Sequence, residues 1–168
     1  MKYIIILLTL SGFSFNIQAQ YDDAIKADLK IYSQAFLEGD YDKYVNYSIQ
    51  SVIQMGGGAE LMKDVAKEQA QLVANSNSKM LSLEPTWISE PYQSEGAIHV
   101  VVGQQLKMEI GTDVFVKTAY YLAESVDEGK SWSFIDLEPY SKEALAAYIP
   151  GISSEIVLPE ADAALKAE

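Results

Sequence analysis

The chain contains no cysteine and no arginine, and it has a single histidine, His99, among its 168 residues. Without cysteine there is no disulfide, no thiol nucleophile and no lipoprotein acylation site. Without arginine the planar fork that grips carboxylate or phosphate through two bonds is missing. One imidazole and no thiolate exclude most transition-metal cages, which need several nitrogen or sulfur ligands. No metal and no other cofactor is therefore expected. Serine-histidine-carboxylate chemistry would have to run through His99 alone. Long hydrophobic runs are also lacking. The apolar stretch Tyr3 to Phe15 is broken by Thr9, Ser11, Gly12 and Ser14. It falls short of the roughly 20 residues that span a membrane as a helix.

That stretch reads instead as a leader. Met1-Lys2 supplies a positive start, an apolar segment follows, and Ile17-Gln18-Ala19 offers small-residue cleavage after Ala19. Residues 1–19 are thus expected to be a signal peptide, and the mature chain a secreted or periplasmic one starting at Gln20, with no membrane insertion after cleavage. All 12 basic residues are lysine, against 24 acids, for a net charge of −12. Losing Lys2 with the leader takes this from −12 to −13. Such a chain lacks the basic patches that phosphate backbones require, so nucleic acid is not an expected partner. Residues 20–159 are long enough for one domain with one core, and the Ala- and acid-rich residues 160–168 read as a frayed tail.

Apolar spacing orders the elements. Asp22 or Asp23 is an N-cap candidate for a helix whose stripe is Ile25, Leu29, Tyr32 and Phe36. Gly39 suits its left-handed end, and Asp40 can cap a second helix over 41–47. Residues 48–55 alternate weakly and predict a short strand. Gly56-Gly57-Gly58 then turns into a third helix over 59–74, whose buried side is read as Leu61, Val65, Leu72 and Val73 with Met62 and Ala66. No Lys-Ser or Lys-Thr follows the glycines at the spacing of a phosphate loop. A strand over 79–90, which Pro85 makes an edge strand or bends, leads to the longest feature, a ribbon over 97–137. A short helix over 141–148 and the apolar Ile156-Val157-Leu158 close the chain.

Within the ribbon, Ile98, Val100, Val102, Leu106, Met108 and Ile110 share one face, and Gln104 is the polar exception in that row. His99, Gln105, Lys107 and Glu109 share the other face. A three-residue loop, Gly111-Thr112-Asp113, aligns the apolar rows, with Val114, Val116, Thr118, Tyr120 and Leu122 on the buried side. It sets Gln104 opposite Tyr120. The second hairpin then sets Asp136 opposite Tyr120 and Phe134 opposite Leu122. A polar row of Gln104, Tyr120 and Asp136 would cross the buried face, either satisfying itself or lining a ligand pocket. A loop one residue shorter would reverse the face. His99 falls behind this row as a surface or interface residue, so no His-carboxylate dyad is expected.

Ser125-Val126-Asp127-Glu128-Gly129-Lys130-Ser131-Trp132 resembles the Asp-box, Ser-x-Asp-x-Gly-x-Ser/Thr-Trp, which recurs in sialidases and related propellers. Here it occurs once, in a chain too short for a propeller, so it implies a structural turn and no glycosidase activity. Asp127 would accept turn amides, Gly129 would be left-handed, and Trp132 would pack the hairpin.

The order helix, helix, strand, helix, ribbon resembles the nuclear transport factor 2-like fold over residues 24–137. The resemblance is carried by Phe36-Leu37-Glu38-Gly39-Asp40-Tyr41, by Gly56-Gly57-Gly58-Ala59-Glu60, and by Gly129-Lys130-Ser131-Trp132-Ser133-Phe134-Ile135-Asp136. The last is similar to a Gly-Lys-x-Trp-x-Phe-Ile-Asp ending found in secreted proteins of the Bacteroidetes type. The resemblance implies an α+β fold, N-terminal helices packed on a curved antiparallel sheet as a cone around a pocket, with a short C-terminal helix. That fold hosts isomerases, cyclases, dehydratases and binding modules. With so few catalytic side chains, the first expectation is a non-enzymatic binding domain for a small apolar or amphipathic ligand, held by Gln104, Tyr120 and Asp136. The alternatives are a small isomerase or hydro-lyase using Tyr120 and Asp136, and an interaction module or homodimer formed through the outer sheet face around His99, Lys107 and Glu109.

Overall fold

The structure is a computed structural model that describes residues 13–94, 96–160 and 164–166; of residues 13–20 it describes the backbone alone. The expected signal peptide therefore lies largely outside the described residues. None of the described helices is long and apolar enough to cross a membrane.

The architecture is α+β, with four helices ahead of an antiparallel sheet of six strands. Helix α1 spans Phe13–Glu38. It carries the expected stripe: Ile25, Leu29 and Tyr32 are buried against the sheet. Burial of a side chain such as Ile25 or Leu29 stabilises the fold by about 1.5–3 kcal/mol each. Asp22 and Asp23 lie inside this helix rather than at its cap. Gly39 takes φ +75° where α1 ends, and Asp40 accepts the Lys43 N–H at 3.1 Å to open α2, Tyr41–Asn46. The strand expected over 48–55 is not formed. Ser48 makes one isolated bridge to Phe134, and Gln50–Met55 is a short helix, α3. Val52 and Ile53 are both buried, a pattern a single-faced strand would not give.

Helix α4, Ala59–Asn75, has the predicted limits but not the predicted face. Ala66 is buried, with Met62, Ala70 and Val73 half-buried, whereas Leu61, Val65 and Leu72 are exposed, Leu72 by 63%. The helix leans on α2 and on strand β1, Ser78–Ile88, and leaves an apolar flank open.

The strands run β1, β2 (Tyr92–Ser94), β3 (Ala97–Ile110), β4 (Asp113–Ser125) and β5 (Ser133–Asp136), and the main sheet order is β1-β3-β4-β5. Pro85 sits on the edge strand β1, as its missing N–H demands, beside a register shift. Short β2 pairs with β3. Leu165–Lys166, within the stretch read as a frayed tail, forms β6 against Val116 and Phe115. Helix α5, Lys142–Tyr148, is capped by Ser141, whose hydroxyl accepts the Ala144 N–H at 3.2 Å.

Both hairpin registers differ from expectation by one residue. Ile110 pairs with Asp113, so the loop is Gly111-Thr112, two residues long. Gly111 takes φ +65°, which suits the first central position of a type II′ turn, where glycine is favoured. Gln104 consequently faces Ala119, and Tyr120 faces Gly103. At the far side Tyr121 pairs with Asp136, and Ala123 with Phe134. Because side chains alternate, each one-residue slip moves a whole β4 row to the opposite face.

The sheet is covered on both faces. On one, α1 packs Ile25, Leu29 and Tyr32 against Val100, Val102, Tyr121 and Phe134. On the other, α3, α5 and the following segment bury Ile49, Leu145 and Ile156 against Val101, Leu122 and Ile135. The C-terminal apolar segment thus docks on the back of the ribbon.

Candidate functional site

A cavity of about 380 Å³ lies between the helices and the first face of the sheet. This falls within the roughly 300–1,000 Å³ of ligand pockets. Residues Tyr32, Ser33 and Phe36 of α1 and Tyr44 of α2 form one wall; Leu106 and Met108 of β3, and Ala119 and Tyr121 of β4, form the floor. Leu72 and Val73 of α4, with Met80 and Leu83 of β1, make the apolar side. The loose seating of α4 leaves this space unfilled.

The three residues singled out from the sequence are not brought together. Asp136 lines the cavity. Gln104 is on the same sheet face as the floor but is fully buried against α1, with its amide hydrogen-bonded to the Ser33 hydroxyl at 3.2 Å. It satisfies the wall and does not reach into the space. Tyr120 is on the other face of the sheet, beside Leu137, Tyr140 and Leu158. The two-residue turn puts it there, so the Tyr120–Asp136 acid-base pair is not formed. The position opposite Asp136 belongs to Tyr121, whose signal in the sequence was the Gly-Thr pair that suits a II′ turn.

The Ser33–Gln104 contact predicts a cycle. Ser33→Ala strands a buried amide and should lower the unfolding free energy by about 1–3 kcal/mol. Adding Gln104→Leu should recover most of that, because neither polar group is then left buried. Urea unfolding of the single and double variants reads this; equal losses in both would refute the pairing.

Tyrosines crowd the acid. The Tyr32 hydroxyl donates to the Tyr44 hydroxyl at 2.9 Å, and their rings stack with centroids 4.6 Å apart. Tyr121 stands edge-on to Tyr32 at 6.0 Å and 82°. Burial pushes the Tyr32 and Tyr121 hydroxyls well above the ordinary phenol range, so both remain neutral donors. Burial likewise pushes the Asp136 carboxyl upward, although its Oδ1 accepts the Glu138 N–H at 2.9 Å, which acts the other way. At the rim, Lys117 Nζ reaches both oxygens of Glu138 at 3.0 and 2.8 Å.

His99 is on the face predicted for it, but it is buried, with 1% exposure. Its Nε2 lies 3.1 Å from Glu124 Oε2 and its Nδ1 3.2 Å from the Ser94 hydroxyl. A His-carboxylate pair therefore exists, contrary to the expectation. The Ser94 hydroxyl also donates to the Ala97 carbonyl at 3.2 Å. His99, Glu124 and Ser94 come from β3, β4 and β2, so the pair ties adjacent strands. The cross-strand partner of His99 is Glu124, which the alternation alone did not single out.

The Asp-box is a turn, as expected. Asp127 Oδ1 accepts from the Ser125 hydroxyl at 2.8 Å and from the amides of Lys130 and Ser131 at 3.1 and 3.0 Å; Oδ2 accepts the Ser131 hydroxyl at 2.7 Å. These bonds, those from Ser131 foremost, hold its carboxyl down to about 2. Gly129 takes φ +85°, and a Cβ there would meet the Tyr21 ring. Asp28 of α1 accepts the Trp132 N–H at 2.9 Å and anchors the turn to the helix.

Among the described residues no cluster of three or more histidine, aspartate or glutamate side chains could hold a metal ion. Against known proteins, no family model, no curated sequence and no solved structure matches the chain.

Proposed function

We propose that this chain is a secreted or periplasmic binding domain of the nuclear transport factor 2-like cone type, which holds a small amphipathic ligand without chemically changing it. The observation that carries the reading is the cavity of about 380 Å³, apolar on its β1 and α4 side and polar around Asp136. Ligand pockets combine a mainly apolar lining with a few converging polar groups, and this space has that composition. The exposed Leu72 of α4 lines this space, so an apolar molecule would pass it on entering. The enzymatic alternative loses the acid-base pair on which it rested.

Native mass spectrometry of protein purified from its own host should reveal a co-purified small molecule, on a chain that begins at Gln20. A polarity-sensitive apolar dye should bind the purified protein, and Ala119→Phe, which grows a ring from the cavity floor, should weaken it at least tenfold. Dye binding unchanged in Ala119→Phe, or absent in the parent protein, would refute the cavity as the site.

A further inference from the structure

We infer that the cavity selects an apolar ligand carrying a cationic ammonium head, seated between the tyrosine rings and Asp136. This deepens the binding reading above and rests on it. The argument starts from charge. Three ionisable side chains other than tyrosines line the space: Asp136, Glu138 and Lys117. Lys117 and Glu138 are spent on each other through two bonds at the rim. The remaining charge is the Asp136 carboxylate, and no second lysine is among the lining residues.

The rings around it favour the same sign. Aromatic faces carry negative electrostatic potential and attract cations within about 6 Å of the centroid, most strongly where water is excluded. Tyr32 and Tyr44 stack nearly parallel, at 24°, while Tyr121 crosses Tyr32 at 82°. Phe36 adds a tilted ring against Tyr44 at 5.3 Å. These rings pack against one another, so the head is placed on the side of the cluster that borders the cavity, beside Asp136. Sheet register then separates the two ends of the ligand. Asp136 pairs with Tyr121 on the β4–β5 side. Leu106 pairs with Leu83, and Met108 with Met80, on the β3–β1 side. A cationic head at the first leaves its tail over the second.

Binding should then be linked to the proton of Asp136. The groups facing this carboxyl are Lys117 and Tyr121 on β4, Tyr32 on α1, Tyr44 on α2, and Glu138 and Tyr140 after β5. Burial foremost, and the Glu138 charge, oppose the ionised form, whereas the Glu138 N–H and Lys117 favour it. A cation in the cavity offsets that burial cost. The head therefore binds best to the ionised carboxyl, and its affinity falls as pH is lowered through the Asp136 titration.

Calorimetric titration with three probes built on a six-carbon chain tests this: hexyltrimethylammonium, hexanol and hexanoate, each below its aggregation limit. The ammonium probe should bind the protein at least tenfold more tightly than hexanol, and hexanoate more weakly than both. Asp136→Asn, nearly isosteric, should cost the ammonium probe about tenfold and hexanol several-fold less than that. It should also remove the pH dependence. Tyr44→Leu is the second variant: it should weaken the ammonium probe more than hexanol. Hexanol or hexanoate binding as tightly as the cation would overturn the charge selection while leaving the cavity as a binding site. Failure of all three probes together with the apolar dye would overturn the binding reading itself.

Discussion

Trp132→Ala should be among the most destabilising single changes in the chain, lowering the unfolding free energy by about 3–5 kcal/mol. The side chain is almost wholly buried in the first core. Its ring meets Tyr21 edge-on at 5.9 Å, and its Nε1–H donates to the Gly129 carbonyl at 3.2 Å. Truncation leaves a void at the seam between α1 and the second hairpin. Its backbone N–H would still be held by Asp28, so the turn itself should survive. Thermal melting reads the effect, with a fall on the order of 10 °C for a domain of this size. Trp132→Phe keeps the packing but loses the Nε1 bond, and should cost a fraction of that. Equal losses for both variants would show that the hydrogen bond, not the volume, is what the residue contributes.

Leu145→Ala should come next, at about 2–5 kcal/mol. Leu145 has no exposed surface, although α5 has only seven residues. It packs with Ile149 and Ile156 against Val101, Leu122 and Ile135 on the back of the sheet. A helix so short has little stability of its own. Losing its one buried side chain should therefore release the whole segment and uncover the apolar row beneath. The expected result is a lower melting point together with concentration-dependent self-association, read by light scattering. An unchanged melting point would mean that the clasp contributes nothing to the core. Exposed Val157 is the control: Val157→Ala should be within about 0.5 kcal/mol of the parent.

Much of the local structure was legible before the fold was known. The α1 stripe, the Gly39-Asp40 junction, the limits of α4, the span of β3 and the Asp-box turn all follow from short-range rules. Each is set by residues within a few positions of one another: a glycine at positive φ, a capping carboxylate, a period of 3.6 or 2. Residues 48–55 were misread because their alternation is weak and α3 is buried at two adjacent positions. The packed face of α4 was misread for a related reason. Its hydrophobic arc is wider than the strip its neighbours cover, and periodicity cannot say which part of an arc finds a partner.

The site was legible only in part. Asp136 was singled out as a polar exception on the face that the expected register buries, opposite Tyr120; it pairs with Tyr121 instead, yet it does line the cavity. Gln104 was found by the same logic, yet Ser33, 71 positions away, satisfies it. Tyr44, Phe36 and Tyr32 were seen only as helix residues, and the space they wall opens only where α1, α2, α4 and the sheet meet.

What the sequence determined alone was the helices α1, α2, α4 and α5, the acidic and cysteine-free chemistry, and the existence of a long antiparallel ribbon. The tertiary structure alone decided which tyrosine meets the acid. Strand alternation selects a face only when one face is buried and the other is wet. Here α1 covers one side of β4 and the C-terminal clasp covers the other, so both rows of that strand look apolar enough to be inside. The choice between Tyr120 and Tyr121 therefore fell to one residue in the Gly111-Thr112 turn, fixed by the pairing of the whole sheet.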